Sequence, residues 1–422
     1  MAEVGLIEDG AVLVEDDKII RVGSTRQLEN VKEARDAHVI EAHGKVVMPG
    51  FIDSCTQLMS GAPLFDDMET ASRWQGAGRS PDDAKPDRLG RCRSIRNVSP
   101  SVLRSSANRW IGIAAASGTT SLEIRSAQGL HMHTEMKVLR AVRALDGEPL
   151  DIQPVALAGP SSGDSFPAPE QAAAAVVDAL IPQLIRRKLT RHLAVDTGPA
   201  VFGLDGLRRI LATARDVRLR LKFQMKVADT DTIGLAIEMG AAAVDHLTSA
   251  GDEEIAALAT SDLIATLLPP VSLQQEGPFA PARDLIDAGG AVALASGFGA
   301  TGGRAINMAT VMSLACSQMR LSPAEALIAT TVNAASVLGR SSIIGTLEPG
   351  RQADLAIFDV ADYREIPYYL GSNLCVLTMK KGRVVHSARS AGLTPKRPPQ
   401  RAGIVTARMQ QMGDPGSWRN RS

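Results

Sequence analysis

The chain has 422 residues and a mass of 44.6 kDa, enough for one large domain with an accessory domain, and too long for a peptide hormone or a single binding module. Apolar residues make up 45% and charged residues 22% of the sequence, so the chain can bury a large core and global disorder is excluded. Lysine plus arginine and aspartate plus glutamate both number 46, so no overall charge attracts nucleic acid or an anionic membrane, and we expect small-molecule or protein partners.

The cysteines and the N-terminus indicate the cellular compartment. Cys55, Cys92, Cys316 and Cys375 lie far apart and form no C-x-x-C pair, which argues against a disulfide framework and a structural zinc site. The N-terminus lacks a basic region followed by an apolar stretch, and no apolar run reaches the roughly 18 residues of a membrane-spanning helix. We therefore expect a cytoplasmic protein that is neither exported nor inserted into a membrane.

Residues 1–45 and 345–390 share short apolar runs separated by turn residues, a pattern typical of strands in a small β-domain. We predict that these two stretches pair with each other into one small β-sandwich that is discontinuous in sequence. Its strands are predicted within Ala11–Val22, Val31–Ala42, Asp354–Asp359 and Leu374–His386.

Residues 46–344 alternate short apolar runs with helical patterns, which indicates strand–helix units around a parallel sheet. Eight such repeats fit a (β/α)8 TIM barrel, an α/β fold of about 250 residues before insertions. The predicted strands are Val46–Ile52, Thr119–Ile124, Ile152–Leu157, Leu193–Val195, Leu219–Gln224, Ala241–Val244, Leu263–Leu268 and Ala291–Ala295. The clearest predicted helices are Val102–Ser117, Thr134–Ala144, Glu170–Arg187, Leu204–Asp216, Thr232–Met239, Asp252–Thr260, Arg283–Ala288 and Ala326–Leu338.

Residues 391–422 form a basic tail. Six lysines and arginines there face one acidic residue, Asp414, so the tail carries a formal charge of +5 and residues 1–390 carry −5. The segment is rich in proline, glycine, arginine and glutamine and has no amphipathic period, so we predict that it is disordered.

Five stretches resemble the amidohydrolase superfamily and, within it, the imidazolonepropionases. They occur in family order between about Gly5 and His386, and they are Gly44–Ser54, Gly118–Ile124, Val244–Leu247, Leu347–Leu355 and Tyr369–Asn373. The resemblance implies a TIM barrel with a small β-sandwich made from both chain ends. It also implies a metal-dependent hydrolase that opens a cyclic amide at a non-peptide C–N bond.

The chemistry that the resemblance implies depends on zinc or iron, which lowers the pKa of a bound water and polarises the amide carbonyl. The family's ligands are two histidines after the first barrel strand, a histidine ending the fifth strand and an aspartate ending the eighth. These positions hold Cys55, Gln57, Gln224 and Gly297. A catalytic zinc needs about three strong protein ligands, and this set offers at most one thiol. We therefore predict that the metal site is lost and that no metal cofactor binds.

The remaining polar site is also altered. His246, preceded by Asp245, is retained, and the resemblance brings Glu123 and Arg125 to the end of the second barrel strand. The family's arginine, tyrosine, histidine and asparagine that contact substrate fall on Leu64, Gln128, Pro160 and Gly299. The predicted substrate-binding residues are Glu123, Arg125, Gln128, Gln224 and Lys226.

Three hypotheses follow. In the first, the chain is a pseudoenzyme that has lost metal-dependent hydrolysis and uses the fold for ligand binding or for assembly with a partner. In the second, it is a metal-independent cyclase, isomerase or amide hydrolase for a small cyclic or carboxylate-bearing substrate, with Cys55 as nucleophile and His246 as base. In the third, other residues hold a metal, but the chain has only seven histidines and few are free for that role.

Two segments bear on ligands and partners. Arg79–Arg96 lies in the loop that covers the substrate in relatives, and its five arginines would suit a carboxylate or phosphate. Leu6–Gly10 matches a point after the family's first strand, so we expect an exposed sheet edge that a partner chain could pair with. Relatives are often dimers, so a homodimer is expected.

Overall fold

The structure is a computed structural model and describes residues 4–59, 95–126, 131–159, 167–198, 201–225, 227–275, 277–299, 303–388 and 403–406. It confirms the predicted α/β class, with a barrel-like parallel sheet, helices around it and an additional β-region formed by both ends of the chain. No helix in these described ranges is long and apolar enough to span a membrane.

The strands are β1 Gly10–Glu15, β2 Lys18–Ser24, β3 His38–Glu41, β4 Val46–Pro49, β5 Phe51–Gln57, β6 Thr119–Arg125, β7 Asp151–Ala158, β8 His192–Asp196, β9 Arg220–Met225, β10 Ala243–His246, β11 Ile264–Leu267, β12 Ala291–Leu294, β13 Phe298–Gly299, β14 Leu355–Phe358, β15 Cys375–Lys380, β16 Arg383–Ser387 and β17 Gly403–Thr406. The helices are α1 Thr25–Leu28, α2 Pro100–Ala116, α3 Met132–Arg143, α4 Pro169–Ala175, α5 Ile181–Arg187, α6 Gly203–Asp216, α7 Thr230–Glu238, α8 Asp252–Ala259, α9 Pro269–Gln274, α10 Ala282–Asp287, α11 Met308–Met319, α12 Pro323–Thr330, α13 Val332–Val337 and α14 Glu365–Tyr368. A π-helical turn, Val176–Leu180, joins α4 to α5.

The barrel is one parallel sheet in the order β12-β11-β10-β9-β8-β7-β6-β5-β13. The sheet closes on itself because the chain passes from β12 to β13 within three residues and β13 pairs with β5. Gly297 N donates to Cys55 O at 3.0 Å, and Gly299 pairs with Gln57. A Cβ on Gly299, whose φ is +107°, would lie 2.3 Å from the Gln57 carbonyl oxygen, so only glycine fits this closing strand.

The helices with a clear amphipathic stripe lie where the sequence predicts them. In α6, Leu207, Ile210, Leu211 and Ala214 are buried at the spacing of one helical face. Burial of such side chains contributes about 1.5–3 kcal/mol each, so the stripe holds the helix against the sheet.

Among the helices of residues 46–344, two were not predicted. Eight of the twelve residues of α11 are buried, so apolar residues surround this helix and no periodic stripe marks it in the sequence. The other, α9, is six residues long and begins with Pro269 and Pro270, which read as a loop.

The prediction of one strand over Val46–Ile52 was wrong, because two strands occupy this run. Strand β4 pairs antiparallel with β14 outside the barrel, and β5 begins the barrel after a break at Gly50. A Cβ on Gly50 would lie 2.1 Å from Thr120 Cγ2, so a glycine allows the backbone to change sheets here. The apolar run continues through the change, which hides it in the sequence.

The additional β-region consists of two four-stranded sheets, β2-β1-β17-β3 and β16-β15-β14-β4. Buried side chains from both sheets form one core, including Val12, Ile40, Ile357 and Leu377. The two ends of the chain therefore fold together.

The prediction of a disordered tail was wrong for residues 403–406. These residues form β17, which pairs antiparallel with β1 and parallel with β3. The sequence of this segment lacks a helical amphipathic period, but a four-residue strand whose backbone pairs on both sides does not need one. The rest of the tail lies outside the described residues.

Candidate functional site

Polar side chains gather at the carboxyl ends of the barrel strands, where parallel barrels place their sites. One level of the sheet is polar across four adjacent strands, because Asp196, Gln224, Asp245 and Thr266 are successive register partners on β8, β9, β10 and β11. We call these four residues the mouth row. Asp196 and Gln224 keep 6% and 5% of their surface exposed, whereas Asp245 and Thr266 are fully buried.

Arg125 joins the mouth row to the second barrel strand. Its Nη2 lies 2.5 Å from Asp245 Oδ2, its Nε donates to Glu123 Oε1 at 2.7 Å, and its Nη1 donates to Gln224 Oε1 at 3.4 Å. The guanidinium has no solvent exposure. Burial alone would lower the pKa of Arg125, but the carboxylates of Asp245 and Glu123 hold it above the ordinary value, so the group stays charged.

Lys222 is the second buried cation. Its Nζ donates to Glu123 Oε2 at 2.7 Å and to the carbonyl oxygen of Ser54 at 2.9 Å. Glu123 therefore accepts from a different cation on each of its oxygens. Burial tends to raise the pKa of Asp245, but Arg125 and Lys222 bring it below the ordinary value, so this carboxyl is ionised.

Cys55 is packed among apolar groups. It has no solvent exposure, and it shares a cluster with Leu268, Val271 and Ala295. Burial raises the pKa of the Cys55 thiol to about 12, although the charge of Arg125 opposes the shift. At neutral pH this residue is a thiol, which disfavours its use as a nucleophile.

The residues at the four mapped metal positions do not fit zinc or iron. Cys55 is a buried thiol, Gly297 has no side chain, and amides such as that of Gln57 are poor zinc ligands. Gln224 Oε1 accepts from Arg125, and Gln224 Nε2 donates to Asp196 Oδ2 at 3.3 Å. Within the part of the chain that the structure describes, no three histidine, cysteine, aspartate or glutamate side chains converge as a metal site.

His246 ends β10 at the mouth and is 7% exposed. It has a φ of 79°, and the next residue, Leu247, has a φ of 58°. Two successive non-glycine residues in the left-handed region are unusual, and such strain is often found at binding and catalytic sites. The sequence prediction of His246 as a site residue remains a prediction, now with a defined position at the mouth.

The structure places the other predicted residues as follows. Glu123 and Arg125 lie below the mouth, bound to each other and to the barrel, so neither reaches solvent. Gln57 lies at the mouth and is 5% exposed. The positions of Gln128, Lys226, Leu64 and Pro160, and most of the Arg79–Arg96 loop, lie outside the described residues.

Sequence reasoning missed Asp196 and Lys222. Lys222 lies in the otherwise apolar run Leu221–Phe223, and Asp196 ends an apolar strand. A charged residue inside a strand that is buried on both faces is rare unless it is paired, which is the signal that could have identified both.

A family model for the amidohydrolase family matches residues 46–385. An imidazolonepropionase from Geobacillus kaustophilus is 34% identical over 391 residues, covering 91% of this chain and 92% of the relative. One from Solibacter usitatus is 35% identical over 380 residues, covering 88% and 89%.

Solved structures support the fold. An adenosine deaminase from Xanthomonas campestris with bound zinc aligns with a TM-score of 0.66 at 16% identity, covering 92% of each chain. An atrazine chlorohydrolase from Arthrobacter aurescens in complex with zinc aligns with a TM-score of 0.65 at 19% identity, covering 92% of this chain and 91% of that one.

Proposed function

This chain belongs to the amidohydrolase family and is imidazolonepropionase-like, and from that premise we propose that it binds a small molecule at the barrel mouth without metal-dependent hydrolysis. The observation that carries the proposal is the state of the four mapped ligand positions, Cys55, Gln57, Gln224 and Gly297. None of them offers a strong ligand, and Gln224 is already engaged with Arg125 and Asp196.

Hydrolysis of an amide requires an activated water and a group that polarises the carbonyl, and a divalent cation supplies both in metal-dependent enzymes. The buried cations, Arg125 and Lys222, do not provide these functions because their contacts are to carboxylates and to a backbone carbonyl. They hold the walls of the site at fixed positions. The site is therefore suited to binding a ligand rather than to activating water.

The mouth itself offers hydrogen-bonding groups. Gln57, Asp196, Gln224 and His246 each keep between 5% and 7% of their surface exposed, and they come from four different strands. A few convergent polar groups above a layer of buried side chains are typical of small-molecule sites. Burial of Cys55 and its raised pKa disfavour the alternative, a thiol-dependent reaction at the same site.

The proposal extends to the compartment. The cysteines that the structure describes, Cys55, Cys316 and Cys375, are free thiols. Free thiols are typical of a reducing environment, so we propose a cytoplasmic location.

The test combines metal analysis with turnover. Freshly purified protein is analysed for zinc, iron and manganese and incubated with the imidazolone substrate, and the Geobacillus kaustophilus relative is prepared in parallel as a positive control for turnover. We expect substoichiometric metal and no substrate consumption by this chain, while the relative consumes the substrate. Stoichiometric metal together with hydrolysis by this chain would overturn the proposal.

A further inference from the structure

We propose that the ligand of the barrel mouth is a small cation with N–H donors, of the amidinium or guanidinium class. This inference rests on the proposed function, since it names the chemical class that the same site takes. Three features of the barrel lead to it, namely its charge balance, the lack of an ion pair to Asp196 among the described residues and the two orphaned polar atoms of the mouth row.

The first feature is an excess of negative charge. Leaving aside histidine and the first residue of each strand, the barrel strands carry four carboxyl groups and two cations, which leaves two negative charges in excess. The carboxyl groups are Asp53, Glu123, Asp196 and Asp245, and the cations are Arg125 and Lys222. Asp53 accepts hydrogen bonds from Ser296 N, Ser296 Oγ and Cys55 N, the surroundings of a carboxylate. Uncompensated charge in a low-dielectric interior is unfavourable, so the site favours a positive ligand.

The second feature is Asp196. Glu123 and Asp245 are paired with the two cations, but no lysine or arginine in the described residues forms an ion pair with Asp196. Its Oδ1 accepts from Gly198 N at 3.0 Å and its Oδ2 from Gln224 Nε2 at 3.3 Å, which leaves acceptor capacity on both oxygens. Asp196 is also the carboxylate at the mouth that retains solvent exposure, so a ligand can reach it.

The third feature is a pair of buried acceptors deeper in the mouth row. Asp245 Oδ1 and Thr266 Oγ1 have no hydrogen-bond partner among the described residues. The two residues are register partners on β10 and β11, and Asp245 reaches Arg125 inside the barrel, so both side chains share the interior face. A buried polar atom without a partner destabilises the fold, and a ligand N–H would satisfy it.

A planar cation suits the carboxylate of Asp196. An amidinium presents two parallel N–H groups, which match the two oxygens of a carboxylate and form the strongest class of ion-paired hydrogen bond. An anion would instead be repelled by Asp196 and by the excess negative charge. The sequence agrees, because the family's substrate-contacting arginine is replaced by Leu64, which cannot bind a carboxylate.

The test uses three ligands of nearly the same shape and different charge: benzamidine, benzamide and benzoate. Binding to the full chain is measured by titration calorimetry and by thermal shift at millimolar concentration. We expect benzamidine to bind about 10- to 100-fold more tightly than benzamide, as charged hydrogen bonds predict, and benzoate not to bind.

Two variants locate the binding. Asp196→Asn should weaken benzamidine binding at least about tenfold and leave benzamide binding within about twofold, because it removes the charge and retains the shape. Asp216→Asn is the matched control, since Asp216 is exposed at the C-terminal end of α6, opposite the end of that helix that follows the mouth of β8. Thr266→Val keeps the side-chain volume and should weaken benzamidine binding by a smaller factor. It replaces Asp196→Asn as the test if that variant fails to fold.

The inference is overturned if benzoate binds as tightly as benzamidine, if Asp196→Asn and Thr266→Val both leave benzamidine binding unchanged, or if none of the three ligands binds. These outcomes are separate from failure of the proposed function, which the metal content and the turnover assay report. A chain that bound benzamidine through Asp196 and also hydrolysed the imidazolone with a stoichiometric metal would retain the inference and refute the proposed function.

Discussion

Arg125 Nη2 and Asp245 Oδ2 lie 2.5 Å apart inside the barrel, and neither side chain is exposed to solvent. With Glu123 and Lys222 they form a chain of alternating charges that spans β6, β9 and β10. Removing one of these four charges leaves another charge buried without a partner, and this strongly destabilises the folded state.

Glu123→Gln tests how much these buried ion pairs contribute to stability. We expect the free energy of unfolding to fall by about 3–5 kcal/mol, because both Arg125 and Lys222 lose a charged partner in the interior. Urea denaturation of the purified variant measures the change. Glu238→Gln is the control, since it breaks an exposed pair with Arg208 and should change stability by less than about 1 kcal/mol. Similar losses in the two variants would contradict the prediction.

The Cys55 thiol should be inert in the folded protein. Its complete burial and its pKa of about 12 keep it protonated and out of reach of reagents near neutral pH. We expect the parent chain and Cys55→Ala to show the same number of reactive thiols when native, and to differ by one thiol in concentrated guanidinium. An additional fast-reacting thiol in the native parent would show that Cys55 is accessible.

His192 should make stability depend on pH. Burial, reinforced by Lys222 and Arg220 and opposed by Glu123, lowers the pKa of His192 from 6.5 to about 4. The folded state therefore binds this proton less readily than the unfolded state, so the stabilisation is complete above pH 6.5 and is lost as the pH falls towards 4.

His192→Gln removes this titration. Relative to the variant, the parent should lose about 2–3 kcal/mol of unfolding free energy between pH 6.5 and 4. Urea denaturation at several pH values gives the difference. His133→Gln, at an exposed helix position, should stay within about 0.5 kcal/mol of the parent throughout. If the difference in unfolding free energy between the parent and His192→Gln does not change with pH, the lowered pKa of His192 is refuted.

Gly299→Ala should open the closing strand of the barrel. Its new Cβ would lie 2.3 Å from the Gln57 carbonyl oxygen, and alanine is strained at a φ of +107°. We expect a loss of at least about 2 kcal/mol, measured by thermal or urea unfolding. Gly234→Ala is the control, because Gly234 lies inside α7 with open space around it and alanine there should stabilise the fold by about 0.5–1 kcal/mol. If both variants retain parental stability, the barrel does not close through this strand.

The sequence predicts those elements whose own residues carry the signal. The stripe of α6 and the apolar strands of the barrel are local patterns, and the predicted class and barrel were correct. Eight of the twelve residues of α11 are buried, so no narrow apolar stripe marks this helix in the sequence. Likewise, Val46–Ile52 is continuous in hydrophobicity although its backbone changes sheets.

The site shows the same division. The predicted loss of metal ligands at Gln224 and Gly297 comes from the resemblance, because that prediction concerns single positions. The pairing of Lys222 with Glu123 joins residues 99 positions apart, and the level shared by Asp196 and Thr266 depends on strand register. No local pattern encodes these relationships, since the barrel creates them when it closes.

Strand β17 has a consequence for the timing of folding. It lies between β1 and β3, although 361 residues separate it from the end of β3 at Glu41. During synthesis, the barrel strands leave the ribosome while this central place in the N-terminal sheet is still empty. The first strands to be made are thus among the last to be completed, and a growing chain carries two unpaired strand edges until residue 406 has emerged. Chaperone binding to the nascent chain, or aggregation of ribosome-released fragments, should concentrate at these edges.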